Sequence, residues 1–116
     1  MEIFKLLETS SAVFSFEVLD YKTWSTGFYI KMEIVIFDES ILYVREYNDD
    51  EERNYSFHWQ DSLGELILRW DNAPHYKWLK TFPHHLHRES NVEESTDITL
   101  SDVLKHIEIL LESKLR

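Results

Sequence analysis

Four of the chain's six histidines, His75, His84, His85 and His87, fall within residues 69–87, "RWDNAPHYKWLKTFPHHLH", with both of its prolines. Imidazole exchanges protons near neutral pH, so histidines clustered beside cations point first to acid–base chemistry. Cleaving RNA without a metal needs a base for the 2′-hydroxyl, an acid for the leaving oxygen and cations for the charge that builds on phosphorus. His58, His75, His84, His85 and His87 can supply the protons; Arg45 and Arg69 can hold phosphate. Asp71, Asn72 and Gln60 are placed to orient the loop and the imidazoles. A second chemistry is metal binding. The His85–x–His87 pair, with Asp71 or His75, would give an all-nitrogen-and-oxygen site open enough for catalytic zinc or another divalent ion. That spacing is not a zinc signature, and the expectation is that no metal or other cofactor is bound.

Charge singles out the same window. Residues 69–88 carry Arg69, Lys77, Lys80 and Arg88 against Asp71 alone, in a chain whose net charge is −10. Local field counts for more than the total in a small cationic pocket. Trp70, Tyr76, Trp78 and Phe82 lie among these cations, and flat rings beside guanidinium groups suit stacking of unpaired bases. Lys77, Trp78 and Lys80 are therefore expected to bind substrate. Trp70 has the strand parity of a core residue, and Trp78 and Phe82 could equally pin the loop to the body.

These groups need elements to position them. "EIFKLLET" at 2–9 has apolar residues for two turns of helix. From Ser11 the period changes to two: Phe14, Phe16 and Val18 oppose Ser15 and Glu17. In the next segment Phe28, Ile30, Met32, Ile34 and Ile36 oppose Tyr29, Lys31 and Glu33. "SILYVREYN", "NYSFHWQD" and "GELILRWDN" follow, separated by the acidic "NDDEER" and the hairpin-like "DSLG". Five alternating segments predict an antiparallel meander of about five strands. Pro74 and Pro83 predict a long loop or lid over 72–90 with an irregular strand, and 91–97 a polar link. "TLSDVLKHIEILLESKLR" opens with Thr99 and Asp102 at capping-box spacing. It continues as an amphipathic helix for one face of the sheet, with His106 just off its apolar stripe. The expected class is α+β, one domain over 1–116.

Strand parity then divides the sheet. Tyr55, Phe57 and Trp59, Leu66, Leu68 and Trp70, and Leu42 and Val44 share a core face. Arg45, Tyr47, His58, Gln60, Arg69 and Asp71 gather on the other, and the histidine-rich loop leaves from the end of that last strand. An antiparallel sheet commonly leaves one face wet. Histidine, glutamine, arginine and aspartate leading into a proline-punctuated loop nevertheless make this face the candidate site.

Totals remove whole classes. With no cysteine there is neither a disulfide nor a thiolate metal site, which fits a reducing cytosol. Two glycines are too few for a phosphate-cradling loop, a dinucleotide fingerprint or a nucleophile elbow. No apolar run approaches the roughly 20 residues of a membrane span. "MEIFKLLETSSAVF" lacks the features of a signal peptide, so a soluble cytoplasmic domain without membrane contact is expected. The negative total argues against broad binding to duplex nucleic acid.

The stretches "YVREYNDDEERNYSFHWQD", "LILRWDNAPH" and "TFPHHLH" resemble the TumE family of toxins from type II toxin–antitoxin modules, in order from about Phe28 to His87 and more loosely to both ends. A glycine common in the family is replaced within "DESIL". The resemblance implies a growth-inhibiting toxin and a cognate antitoxin partner, which could be a DNA-binding protein. It carries no assigned active site. By motif the matching positions are Arg45, Glu46 and Tyr47; His58, Trp59 and Gln60; Arg69 to Asn72 with Pro74 and His75; and Phe82 to His85 with His87. A helix before a meander is also similar in architecture to small ribonucleases of the RelE and barnase kind, whose surfaces are more basic. The expected function is thus a toxin cutting RNA as a metal-independent endoribonuclease. A metal-dependent hydrolase or nuclease is the second reading, and a non-enzymatic partner-binding module the third.

Overall fold

The computed structural model describes residues 2–114. Helix α1 (Glu2–Thr9) is followed by strands β1 (Val13–Trp24), β2 (Gly27–Ile36), β3 (Ile41–Asn48), β4 (Arg53–Gln60), β5 (Leu66–Asp71), β6 (His85–Arg88) and β7 (Asn91–Glu94). Helix α2 (Leu100–Lys114) closes the described chain. The strands form one antiparallel sheet in sequence order. The meander thus has seven strands rather than about five. The two extra ones lie where a loop and a polar link were expected. Each is four residues long, too short for an alternation to stand out, and β6 turns a single apolar residue, Leu86, towards the core. They form a hairpin through Glu89 and Ser90, with Glu89 at φ 55°.

Alternation decides the layers. Ile30, Met32, Ile34 and Ile36 of β2, Leu42 and Val44 of β3, Tyr55, Phe57 and Trp59 of β4, and Leu68 and Trp70 of β5 are all buried on one face. Leu7 of α1 and Leu100, Val103, Leu104 and Ile107 of α2 join the same core. Both helices cover that face because their apolar stripes have nowhere else to go. Helix α2 starts with the expected reciprocal cap: the Asp102 backbone N–H donates to Thr99 Oγ1 at 3.3 Å, and the Thr99 N–H donates to Asp102 Oδ2 at 2.9 Å. Those bonds hold the Asp102 carboxyl below its usual range.

Two parity assignments fail. An irregularity between Trp59 and Gln60 pairs Leu66 with Gln60 and leaves Ile67, not Leu66, packed against the core. Phe14 is 66 % exposed, because β1 carries irregularities between Val13 and Ser15 and between Val18 and Asp20. An extra residue in a strand reverses the side taken by every residue beyond it. Phe16 and Val18 remain opposite the core residues Ile34 and Met32; Phe14 does not join them. Gly27, where β2 begins, has a clearer requirement: a Cβ there would lie 1.8 Å from the Asn48 carbonyl oxygen.

Candidate functional site

The register builds the uncovered face as cross-strand rows. One row runs Lys31, Arg45, Ser56, Asp71 and His85 across β2 to β6, and the next runs Glu33, Tyr43, His58, Arg69 and His87. Side chains that alternate along each strand thus meet their neighbours two by two. Two hollows open over these rows, of about 390 Å³ and 320 Å³, and Arg45, Ser56 and Arg69 line both. His58, Gln60 and Lys31 complete the first; Tyr47, Asp71 and Asn72 belong to the second.

Asp71 is the hub. It is nearly buried, and its Oδ2 accepts from Arg69 Nε at 3.0 Å. Its Oδ1 accepts from the Ala73 N–H at 3.0 Å and lies 2.7 Å from His85 Nε2. His85 is 1 % exposed, and its Nδ1 faces the Pro83 carbonyl at 2.9 Å. Both ring nitrogens are therefore engaged with protein oxygens, so His85 fixes Asp71 and hence Arg69. It does not reach a substrate. Tyr76 covers it edge-on, with ring centres 4.7 Å apart, and lies 5.7 Å from the His87 ring.

The accessible imidazoles are His58 and His87, on either side of Arg69 in one row. Arg69 Nη1 lies 3.2 Å from His58 Nδ1. A guanidinium can only donate, so Nδ1 accepts and the neutral ring carries its proton on Nε2. Burial holds the His58 pKa below its ordinary value and the Arg69 charge adds to this, while a bond from the ring to Gln60 works against it. Burial likewise lowers His87; Asp71, 3.6 Å from its Nε2, opposes that shift. His87 lies beyond the linings of both hollows, on the far flank of Arg69.

The remaining residues are dispersed. His84, one residue from His85, points to the opposite face: its ring stacks on Tyr55 at 5.9 Å and its Nδ1 meets the Tyr55 hydroxyl at 2.9 Å. It joins no proton-transfer group on the polar face. His75 is exposed on the 72–84 connection, 6.4 Å from Tyr76. Lys77, Trp78 and Lys80 are exposed there too, and the Trp78 ring stands edge-on to Tyr76 at 5.3 Å. Tyr47 donates to Asp49 Oδ2 at 2.6 Å, which pushes its own pKa up to about 12. Asn72 extends the ladder: its Oδ1 accepts from the Tyr55 N–H and its Nδ2 donates to the Arg53 carbonyl. Tyr76, Ser56 and Lys31 were absent from the sequence-derived site. Lys31 and Ser56 were findable, since both share the strand parity of Arg45 and His58.

The ligand atoms of Asp71, His85 and His87 lie within 4.8 Å of one another. The Pro83 carbonyl facing His85 Nδ1 is the kind of partner that orients a metal-bound imidazole. A cation would have to displace the proton between His85 and Asp71, and Arg69 already occupies the other carboxylate oxygen.

A family model described as Toxin TumE matches residues 3–112. No curated protein and no solved structure matches the chain. No described helix is long and apolar enough to cross a membrane.

Proposed function

The chain belongs to the TumE family of toxins, which implies an antitoxin partner, and from that premise we propose that it inhibits growth by cutting RNA without a metal. The observation that carries this reading is the row His58, Arg69, His87, with two accessible imidazoles flanking a guanidinium beside the open cation Arg45. In-line displacement at phosphorus needs a base and an acid on opposite sides of the phosphate, and this row offers both. Arg69 and Arg45 hold the non-bridging oxygens. As Arg69 Nη1 turns to phosphate it frees His58 Nδ1, which takes the 2′-hydroxyl proton while the O2′–P bond forms. His87 in its protonated form, whose charge Asp71 stabilises against the cost of burial, gives a proton to the 5′-oxygen as the P–O5′ bond breaks. The products are a 2′,3′-cyclic phosphate and a 5′-hydroxyl. Buried His85 acts through Asp71 as a positioning residue. His75, exposed on the 72–84 connection, takes no part in this step.

The test is cleavage of single-stranded RNA by purified protein in excess chelator. His58→Ala and His87→Ala should each lower the rate at least 100-fold, a size usual for acid–base groups, and the product should carry the cyclic phosphate. Undiminished cutting by both variants would end the assignment. Inertness towards RNA together with tight antitoxin binding through 72–88 would favour the binding-module reading. A second reading rests on the Asp71–His85–His87 cluster: a divalent ion held there would activate water for hydrolysis. Metal content of the purified protein, lost in His85→Ala and His87→Ala, would support it over the first.

A further inference from the structure

Two cations on the open face make no ion pair with a described residue, although Asp20 stands opposite Lys31 on β1; its carboxylate pairs with Lys22 at 3.5 Å instead. Lys31 and Arg45 are directly opposite on β2 and β3, both exposed, and neither makes an ion pair or side-chain hydrogen bond with any described residue. Like charges directly opposite on antiparallel strands repel, and acidic residues to neutralise them are plentiful in a chain of net charge −10. The other arginines among the described residues are all ion-paired: Arg53 with Glu46 and Asp97, Arg69 with Asp71, Arg88 with Glu93.

Aromatic rings border this pair on both sides. Tyr29 and Tyr47 form the next row on one side, with Trp24, 39 % exposed, tilted over Tyr47 at 5.4 Å. Tyr43 is the neighbour on the other side, 6.3 Å from the His58 ring. Same-face residues along a strand are about 7 Å apart, so ring, cation and ring repeat at a spacing that admits a base, a phosphate and a base. We propose that β2 and β3 form a platform for single-stranded RNA. Lys31 joins Arg45 on the phosphate that Arg69 also holds, Trp24 with Tyr47 stacks the base on one side of it, and Tyr43 stacks the base on the other, beside the His58–Arg69 row. This rests on the ribonuclease reading and gives it a substrate class: unpaired RNA, since bases inside a duplex cannot present their faces to a protein ring.

The test uses a fluorescent 2′-O-methyl oligonucleotide without self-complementarity, which has no free 2′-hydroxyl to attack phosphorus, alone and annealed to its complement. The single strand should bind at least tenfold more tightly. Lys31→Gln should weaken it severalfold and reduce the salt slope by about 0.7. Trp24→Ala should weaken it roughly fivefold or more with the salt slope unchanged, as loss of stacking does. Equal affinity for duplex and single strand would overturn the proposal. So would wild-type binding by Lys31→Gln, an exposed position that serves as the reading if Trp24→Ala fails to fold. Cleavage of RNA by a protein that fails these binding tests would leave the ribonuclease reading standing without the platform. Absence of both cleavage and binding would remove the two together.

Discussion

Two clusters in this molecule use the same residue types and end in opposite states. At the margin of the core face, every guanidinium nitrogen of Arg53 has a partner. Its Nε donates to Glu46 at 3.1 Å, Nη1 to Asp97 at 2.6 Å and Nη2 to the Ile98 carbonyl at 2.8 Å, and its carbon sits 4.1 Å from the centre of the Tyr55 ring. Tyr55 in turn meets His84, and burial pushes its hydroxyl pKa up to about 12. This group ties β3 and β4 to the segment that enters α2. On the polar face, Arg69, Asp71 and His85 form a similar arginine–carboxylate–histidine unit. That unit keeps its outer side open, with His58, His87 and the unpaired Arg45 around it. Residue type therefore does not separate scaffold from site. Bonding capacity left unused towards solvent does.

The sharpest break between the two clusters comes from deleting one arginine from each. Arg45→Ala should reduce RNA cleavage by about 100-fold to 1000-fold, the usual loss for one group that stabilises developing charge. Its melting temperature should stay within about 2 °C of wild type, because a partnerless surface side chain contributes little to stability. Arg53→Ala should do the reverse. It strands the nearly buried Glu46 and should cost about 3 kcal/mol, lowering the melting temperature by roughly 10 °C or more. Cleavage per folded molecule should be unchanged.

A smaller effect separates adjacent histidines. His84→Ala removes one partner of the Tyr55 hydroxyl and should cost about 1 kcal/mol in urea unfolding, with cleavage retained. His85→Ala should disorder Asp71 and Arg69, so that kcat falls more than KM rises and the pH profile shifts. Equal loss of cleavage in the two variants would erase the distinction between the faces.

The smallest effect is in pH dependence. Burial lowers His58, His87 and His106 below the ordinary value of about 6.5. Near and below that pH the unfolded chain therefore binds more protons than the folded one. Stability should fall as pH drops through about 6.5 and stop changing once the folded rings are protonated too. For the same reason the acidic limb of the rate profile should lie below 6.5. Arg69→Gln, which removes the second-largest cause of the His58 shift, should move that limb upwards in whatever activity remains.

Much of this contrast was readable in the residues. The period of two over β2 to β5 sets which side each group takes, and it gathered Arg45, His58, Arg69 and Asp71 before any coordinates. The same rule separates His84 from His85, but applying it requires knowing that "HHLH" is a strand. Four residues after a proline give no such signal. Partnering was not legible at all. That Arg53 is enclosed depends on Asp97 and Ile98, forty-four and forty-five positions away, and that Arg45 is open depends on what fails to approach it. β1 was misread at Phe14 because an irregularity in register leaves no mark in the local pattern.

The most direct test is a single paired measurement: chelator-resistant cleavage of single-stranded RNA and thermal melting, on Arg45→Ala and Arg53→Ala side by side. The account expects the first variant to be folded and inactive, the second destabilised and active where folded. An Arg45→Ala protein that melts with wild type and cuts RNA at the wild-type rate would contradict it.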